Sequence, residues 1–367
     1  MAASIKIALA NVILGIAGLV WLAALARGSA RRPHAAILVP IAAYAIVSVL
    51  SAVFSADPCH SITELADLLT LALVPMTISL FNQERWDRLL RLIAPVLAVS
   101  AIIGLVQFAL SGDPLQHRMR GLATHYMTFS GWTLVVTLLL LGDVFFTSDR
   151  RRLLWTLPVA ALGVSTLLLG FTRGAWIGLA AGMLLAVSVG RPRALVLLPF
   201  VVSVLYLAFP QPVLKRAATT FDLRDTATRE RLEMFDSGIG MALKNPILGL
   251  GPGLVQPAYN DYRKGGSPKK IPHLHNNAIQ IAAERGVAGL LTYLIILGVF
   301  GVHGLRAIQT SPSITRPMLI GCLMAVVGVT TAGFFEYNWG DAEVWIVTLV
   351  SLSAPFALAR ISYRKAA

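Results

Sequence analysis

The stretch His273-Leu274-His275-Asn276-Asn277-Ala278-Ile279-Gln280 concentrates side chains able to do chemistry. Histidine exchanges a proton near neutral pH, so His275 suits removal of a proton from a hydroxyl. Asn276, Gln280 and Glu284 recur every four residues and share one face of a helix. A polar stripe at the end of a membrane helix faces protein or a wet cavity rather than lipid. Packing against another helix end explains such a stripe equally well. A metal at His273-x-His275 would need an Asp, Glu or Cys partner, and the sequence offers none at matching spacing nearby. No metal is therefore expected.

Three further stretches hold charge in telling places. In Phe171-Thr172-Arg173-Gly174-Ala175-Trp176, Arg173 is the only charge between Arg152 and Arg191. A cation near hydrocarbon is costly, and it either takes an anionic partner or snorkels to the headgroups. Arg229-Glu230-Arg231-Leu232-Glu233 lies ahead of a Gly/Pro turn cluster and alone reads as a solvated charge run. Phe335-Glu336-Tyr337-Asn338-Trp339-Gly340-Asp341 combines rings typical of a membrane interface with two carboxylates, either of which could pair with loop arginines.

The elements that position these residues are set by composition. Of 367 residues, 56% are hydrophobic and 13% charged, about half the charge of a soluble domain. That excludes a large soluble core and requires lipid around the apolar faces. The net charge of +13 is not a nucleic-acid footprint, because the basic residues punctuate apolar runs instead of forming a patch. Cys59 and Cys322 form no CxxC or Cys/His pattern and are read as structural. Residues 5–26 resemble a signal peptide, but the run is long and Arg27, Arg31 and Arg32 follow it, so it is expected to stay as a helix.

The fold expected is all-α, a polytopic membrane helix bundle of about eleven spans (ten to twelve). They fall at 5–26, 35–54, 65–80, 92–110, 127–147, 153–170, 174–190, 194–209, 277–305, 317–335 and 343–360. The third is the weakest, being short and containing Pro75. Alternate short loops and the C-terminal tail carry sixteen Lys/Arg, against five (Lys6, Arg118, Arg120, Arg173 and Arg285) on the opposite side. The richer side is cytoplasmic by the positive-inside rule, which puts the long segment 210–275 outside. The organisation expected is thus spans one to eight over 1–209, an outer loop with short amphipathic helices over 210–275, and spans nine to eleven over 276–367. Within the loop, Asp225–Leu243 reads as an amphipathic helix and Pro246–Gly253 as turns.

Together these residues resemble the O-antigen ligase family of membrane glycan transferases. His275-Asn276, nine residues, Gly286, two residues, Gly289 reproduces its His-Asn…Gly-x-x-Gly signature. Thr172-Arg173-Gly174-Ala175-Trp176 is similar to its Ser-Arg-Gly-aromatic turn, with Thr in place of the commoner Ser. Arg231, fifteen residues before Pro246-Ile247-Leu248-Gly249-Leu250-Gly251-Pro252-Gly253, matches its Arg ahead of a Pro-Leu-Leu-Gly-x-Gly turn. The resemblance spans roughly Gly121–Asp341, and the family has about twelve spans.

The resemblance implies transfer of a glycan from an undecaprenyl-diphosphate carrier to an acceptor hydroxyl, in the bacterial inner membrane with the site facing the periplasm. It makes His275 the base, Arg173 and Arg231 the diphosphate clamp, and Asn276, Gln280 and Glu336 supporting residues. Metal and cofactor are not required. Partners are the lipid-linked donor, lipid A-core or another hydroxyl acceptor, and membrane lipids, with no nucleic acid. Ligation to lipid A-core leads; glycan polymerisation and protein O-glycosylation share the donor chemistry. A lipid-linked glycan transporter is the alternative of another class, but no matched pair of broken helices supports it.

Overall fold

The computed structural model describes residues 2–111, 117–190, 226–264 and 269–365. No strand occurs among the described residues. The helices are α1 (Ala2–Ala26), α2 (Leu38–Val53), α3 (Pro58–Thr63), α4 (Leu73–Leu80), α5 (Gln83–Leu110), α6 (Tyr126–Phe146), α7 (Arg150–Leu169), α8 (Arg173–Gly190), α9 (Thr226–Lys244), α10 (Val255–Tyr262), α11 (Asn277–Thr310), α12 (Arg316–Ala332) and α13 (Ala342–Lys365). Among the described residues, 3-10 segments occupy Glu64–Ala72 and Asn338–Gly340.

Among the described residues, six helices are long and apolar enough to cross a membrane: Pro58–Leu80, Gln83–Leu110, Tyr126–Phe146, Arg150–Leu169, Arg173–Gly190 and Asn277–Thr310. Shorter apolar helices occupy Val12–Ala26, Leu38–Val53, Arg316–Ala332 and Ala342–Leu358. The expected span 194–209 lies outside the described residues. The third expected span, 65–80, is the C-terminal part of a composite: α3, the 3-10 segment and α4 run on from Pro58 to Leu80. Pro75 falls in the first turn of α4, where an absent N–H breaks no helix bond.

The burial pattern is that of helices in lipid. On α5 the residues Leu92, Val96, Val99, Ile102, Val106 and Leu110 are all exposed, at three- and four-residue intervals. This apolar stripe on the outside inverts the soluble pattern and suits hydrocarbon. The chain is a membrane helix protein.

The chain divides into two compact units interleaved in sequence. The second comprises Asn82–Thr228, Arg306–Ala332 and Leu358–Ala367. Its centre is α6, buried at every residue from Thr133 to Asp143. Glycines let α6, α8 and α12 approach closely: a Cβ on Gly142 would lie 2.5 Å from Gly321 Cα, and one on Gly178 2.5 Å from Gly328 O. Small residues at such crossings are the usual means of packing helices without a hydrophobic driving force. Arg152 on α7 bridges Asp87 (2.6 Å) on α5 and Asp143 (2.7 Å) on α6, so the buried charges are paired.

The first unit comprises Met1–Phe81, Arg229–Leu305 and Gly333–Ala357. It has a small core of its own around α9 and α10. Met234 and Met241 of α9, Val255 and Tyr259 of α10, and Ile271, Leu274 and Ala283 pack together. The amphipathic helix expected at 225–243 is α9, whose described part starts at Thr226.

Candidate functional site

His275 stands immediately before α11 with φ 50°, a left-handed conformation that non-glycine residues seldom adopt. The residues around it enforce that geometry. Asn276 caps α11, its Oδ1 accepting from Ile279 N (3.0 Å), while its Nδ2 donates to Phe334 O (3.1 Å). Asn277 N donates to Gly333 O (2.7 Å), and Asn277 Oδ1 accepts from Trp339 N (3.1 Å). Gln280 Oε1 accepts from Leu274 N (2.8 Å). Thus the polar stripe is chiefly structural: it fastens the turn carrying His275 to the loop before α13. Strain at one half-buried residue, held by many bonds, is the pattern found at functional sites.

That loop supplies Glu336. Its Oε2 lies 2.8 Å from His275 Nδ1, its Oε1 3.2 Å from His273 Nε2, and Tyr337 N donates to Oε1 at 3.2 Å. Burial pushes the Glu336 carboxyl up, but the hydrogen bond with His275 and the charges of His273 and His275 outweigh it and hold the carboxyl below its usual range. An ionised Glu336 accepts from both rings. His273 Nδ1 in turn accepts from His275 N (3.3 Å), which leaves His273 Nε2 as the donor. The same logic assigns the hydrogen of His275 to Nδ1 and leaves Nε2 with its lone pair.

Glu336 corrects two expectations. Among the described residues its ion-pair partners are His273 and His275 rather than an arginine, and it gives the two histidines the acidic partner that spacing along the sequence denies them. The ligand atoms of His273, His275 and Glu336 lie within 4.8 Å of one another, so this set could hold a divalent transition ion. Asp341, the other carboxylate of that loop, accepts from Glu343 N (3.2 Å) and Val344 N (3.4 Å) as the cap of α13.

Below His275, α11 is broken at Gly286 (φ 65°). A break inside a membrane helix frees backbone groups that must find partners. The turn cluster after α9 provides them: Leu250 N donates to Ala283 O (2.8 Å), Gly251 N to Glu284 O (2.9 Å), and Val287 N to Pro246 O (2.8 Å). A Cβ on Gly286 would strike Ile247 O, and one on Gly249 (φ 71°) the Glu284 backbone. The glycines of both sequence motifs are therefore the two halves of one joint. Glu284 Oε1 accepts from Gln280 Nε2 (2.8 Å) and Gly253 N (3.2 Å). Its Oε2 pairs with Arg285, whose Nε donates to Ser48 Oγ (2.9 Å).

Arg231 lies on α9, half-buried and one turn before Met234 of the small core that includes Leu274. The carboxylates of its charge run are engaged elsewhere: Glu233 by Arg263 (3.3 Å) and Glu230 by Lys269 (3.0 Å). His275, Arg231, Asn276, Gln280 and Glu336 all belong to the first unit.

Arg173 belongs to the second. It opens α8 and is 4% exposed, with Nη1 donating to Thr228 Oγ1 (3.3 Å). The turn before it holds Phe171 at φ 52° and is pinned by Thr172 Oγ1 to Ser130 Oγ (2.9 Å) and by Trp176 Nε1 to Leu167 O (2.8 Å). A buried guanidinium at the positive end of a helix dipole favours an anion.

With this geometry in view, the comparisons are informative. Residues 157–294 match the O-antigen ligase family. No curated protein matches the chain. The matched residues are fewer than the stretch Gly121–Asp341 marked by sequence resemblance, yet they contain Arg173, Arg231, the Pro246–Gly253 turn, His275 and Gly286. At family level the match supports a membrane enzyme of the O-antigen ligase and polymerase kind, acting in glycosyl transfer. Glu336 lies beyond the matched residues. Sequence reasoning missed the Glu284–Arg285 pair within an apolar helix, although an ionisable pair there signals a wet or functional interior.

Proposed function

We propose that the protein transfers a glycan from an undecaprenyl-diphosphate carrier to an acceptor hydroxyl at the periplasmic face of the inner membrane, as in ligation of O-antigen to lipid A-core. The observation that carries this reading is His275, strained and hydrogen-bonded to an ionised Glu336, within a segment matching the O-antigen ligase family. The acceptor oxygen attacks the anomeric carbon, its proton passes to His275 Nε2, and the bond to the carrier breaks with its electron pair leaving on the diphosphate. Glu336 holds the ring in the tautomer that accepts and stabilises the imidazolium formed. Arg173 and Arg231 are assigned to the diphosphate, since a planar, permanently charged fork suits phosphate oxygens. Fixed cations in these roles make the transfer metal-independent.

The test is carrier release by the purified full-length protein. Incubation with lipid-linked glycan and lipid A-core should yield undecaprenyl diphosphate and glycosylated core in equal amounts. Movement of the intact lipid-linked glycan across a vesicle membrane without release would instead indicate a transporter.

A further inference from the structure

The 3-10 segment Glu64–Ala72 has nine residues, whereas this geometry is uncommon beyond three or four because its hydrogen bonds are poor. In it, residues three apart eclipse, so Glu64, Asp67 and Thr70 form a single row. All three line a cavity of about 290 Å³ in the first unit. Thr70 is occupied in holding the far wall, its Oγ1 accepting from Trp345 Nε1 at 2.5 Å. Glu64 and Asp67 are exposed and form no salt bridge among the described residues. An unusual local structure thus presents two carboxylates at the mouth of a cavity.

The opposite wall is aromatic. Trp339 and Trp345 meet edge to face with centroids 4.0 Å apart. Trp339 is 7% exposed and stands edge to face with Tyr44, its ring centroid 6.1 Å away. On the floor, Glu284 and Arg285 neutralise each other, so the surplus charge of the lining is the pair Glu64 and Asp67. The cavity adjoins the candidate base through His273, which lines it and whose ring lies 4.4 Å from that of His275.

A ligand for this cavity needs apolar faces for the indoles and a rim of donors for the carboxylates, which describes a sugar ring. Its volume is at the small end of the ~300–1,000 Å³ of ligand sites, enough for one or two such rings. Two carboxylates at the mouth attract an ammonium group and repel a phosphate. We propose that this cavity binds the acceptor saccharide, and that Glu64 and Asp67 select an amino sugar over a neutral sugar and a neutral sugar over a phosphorylated one. The proposal rests on the transferase reading and names the acceptor class of that same site.

The test uses purified full-length protein, saturating lipid-linked glycan and three probe acceptors: a glucosamine disaccharide, its N-acetylated form and a phosphorylated form of the latter. Acceptor KM should rise in that order. The double variant Glu64→Gln/Asp67→Asn should raise KM for the amino acceptor about tenfold or more, the scale of one lost charge-assisted hydrogen bond. It should lower KM for the phosphorylated acceptor and leave donor KM unchanged, which shows that the variant is folded. Tryptophan fluorescence of the wild-type protein, titrated with the glucosamine disaccharide without donor, should change saturably. Carrier release with an acceptor order indifferent to charge, or unmoved by the double variant, overturns this inference alone. No carrier release with any acceptor overturns the transferase reading and this inference with it.

Discussion

At the scale of single residues, the chemistry centres on a carboxylate that both neighbouring rings address. Because Glu336 is held below the usual carboxyl range when folded, its interactions stabilise the protein fully above the unfolded value of about 4.3 and are lost as pH falls through the folded value. Glu336→Gln should therefore melt below the wild type near neutral pH, and the gap should close as pH drops below about 4. Melting curves over that range check it; a gap that widens with acid contradicts the ionised assignment. Arg173→Lys should lose most transfer although charge is kept, because an ammonium cannot reproduce a bidentate fork on phosphate. Near-normal transfer by this variant would remove Arg173 from the clamp.

At the scale of elements, the decisive feature is the joint between α11 and the turn cluster after α9. Gly286→Ala would force a side chain into φ 65°, ψ −165°, a region open essentially to glycine alone, at about 1–3 kcal/mol before any clash with Ile247 is counted. The melting temperature should drop, and more than for Gly298→Ala on the same helix, where a Cβ meets nothing within 4 Å. Equal effects would mean that the joint is unimportant. This joint also marks what sequence can and cannot reveal. The helices of the described residues are legible because apolar length is a local property, and α9 because its amphipathic pattern is. Both glycine motifs are visible, but their mutual contact is not, since it joins residues more than thirty positions apart. Glu336 illustrates the same limit: its residue type draws notice, yet its pairing with His275 depends on how the loop before α13 folds back. The 3-10 geometry of Glu64–Ala72 leaves no composition signal at all, and with it the cavity goes unread.

At the scale of the whole molecule, the account needs the His275 end of α11 on the periplasmic side of the membrane. The motive is the sixteen-to-five imbalance of Lys/Arg over short loops. A cysteine placed at Lys264 should react with an impermeant thiol reagent in intact cells, on a background lacking Cys59 and Cys322, and one placed at Arg151 should not. Labelling at Arg151 contradicts the orientation.

The central claim is that His275 takes the acceptor proton, and single-turnover transfer by purified variants measures it most directly, with donor binding followed in parallel. His275→Ala should slow transfer by ~10²–10⁴-fold, the usual range for a general base, while donor affinity stays near that of the wild type. His273→Ala should do far less, because its ring bonds Glu336 from the side. Normal turnover by His275→Ala would contradict the account. Equal losses at both histidines, reversed by added zinc after chelation, would contradict it in favour of a metal held by His273, His275 and Glu336.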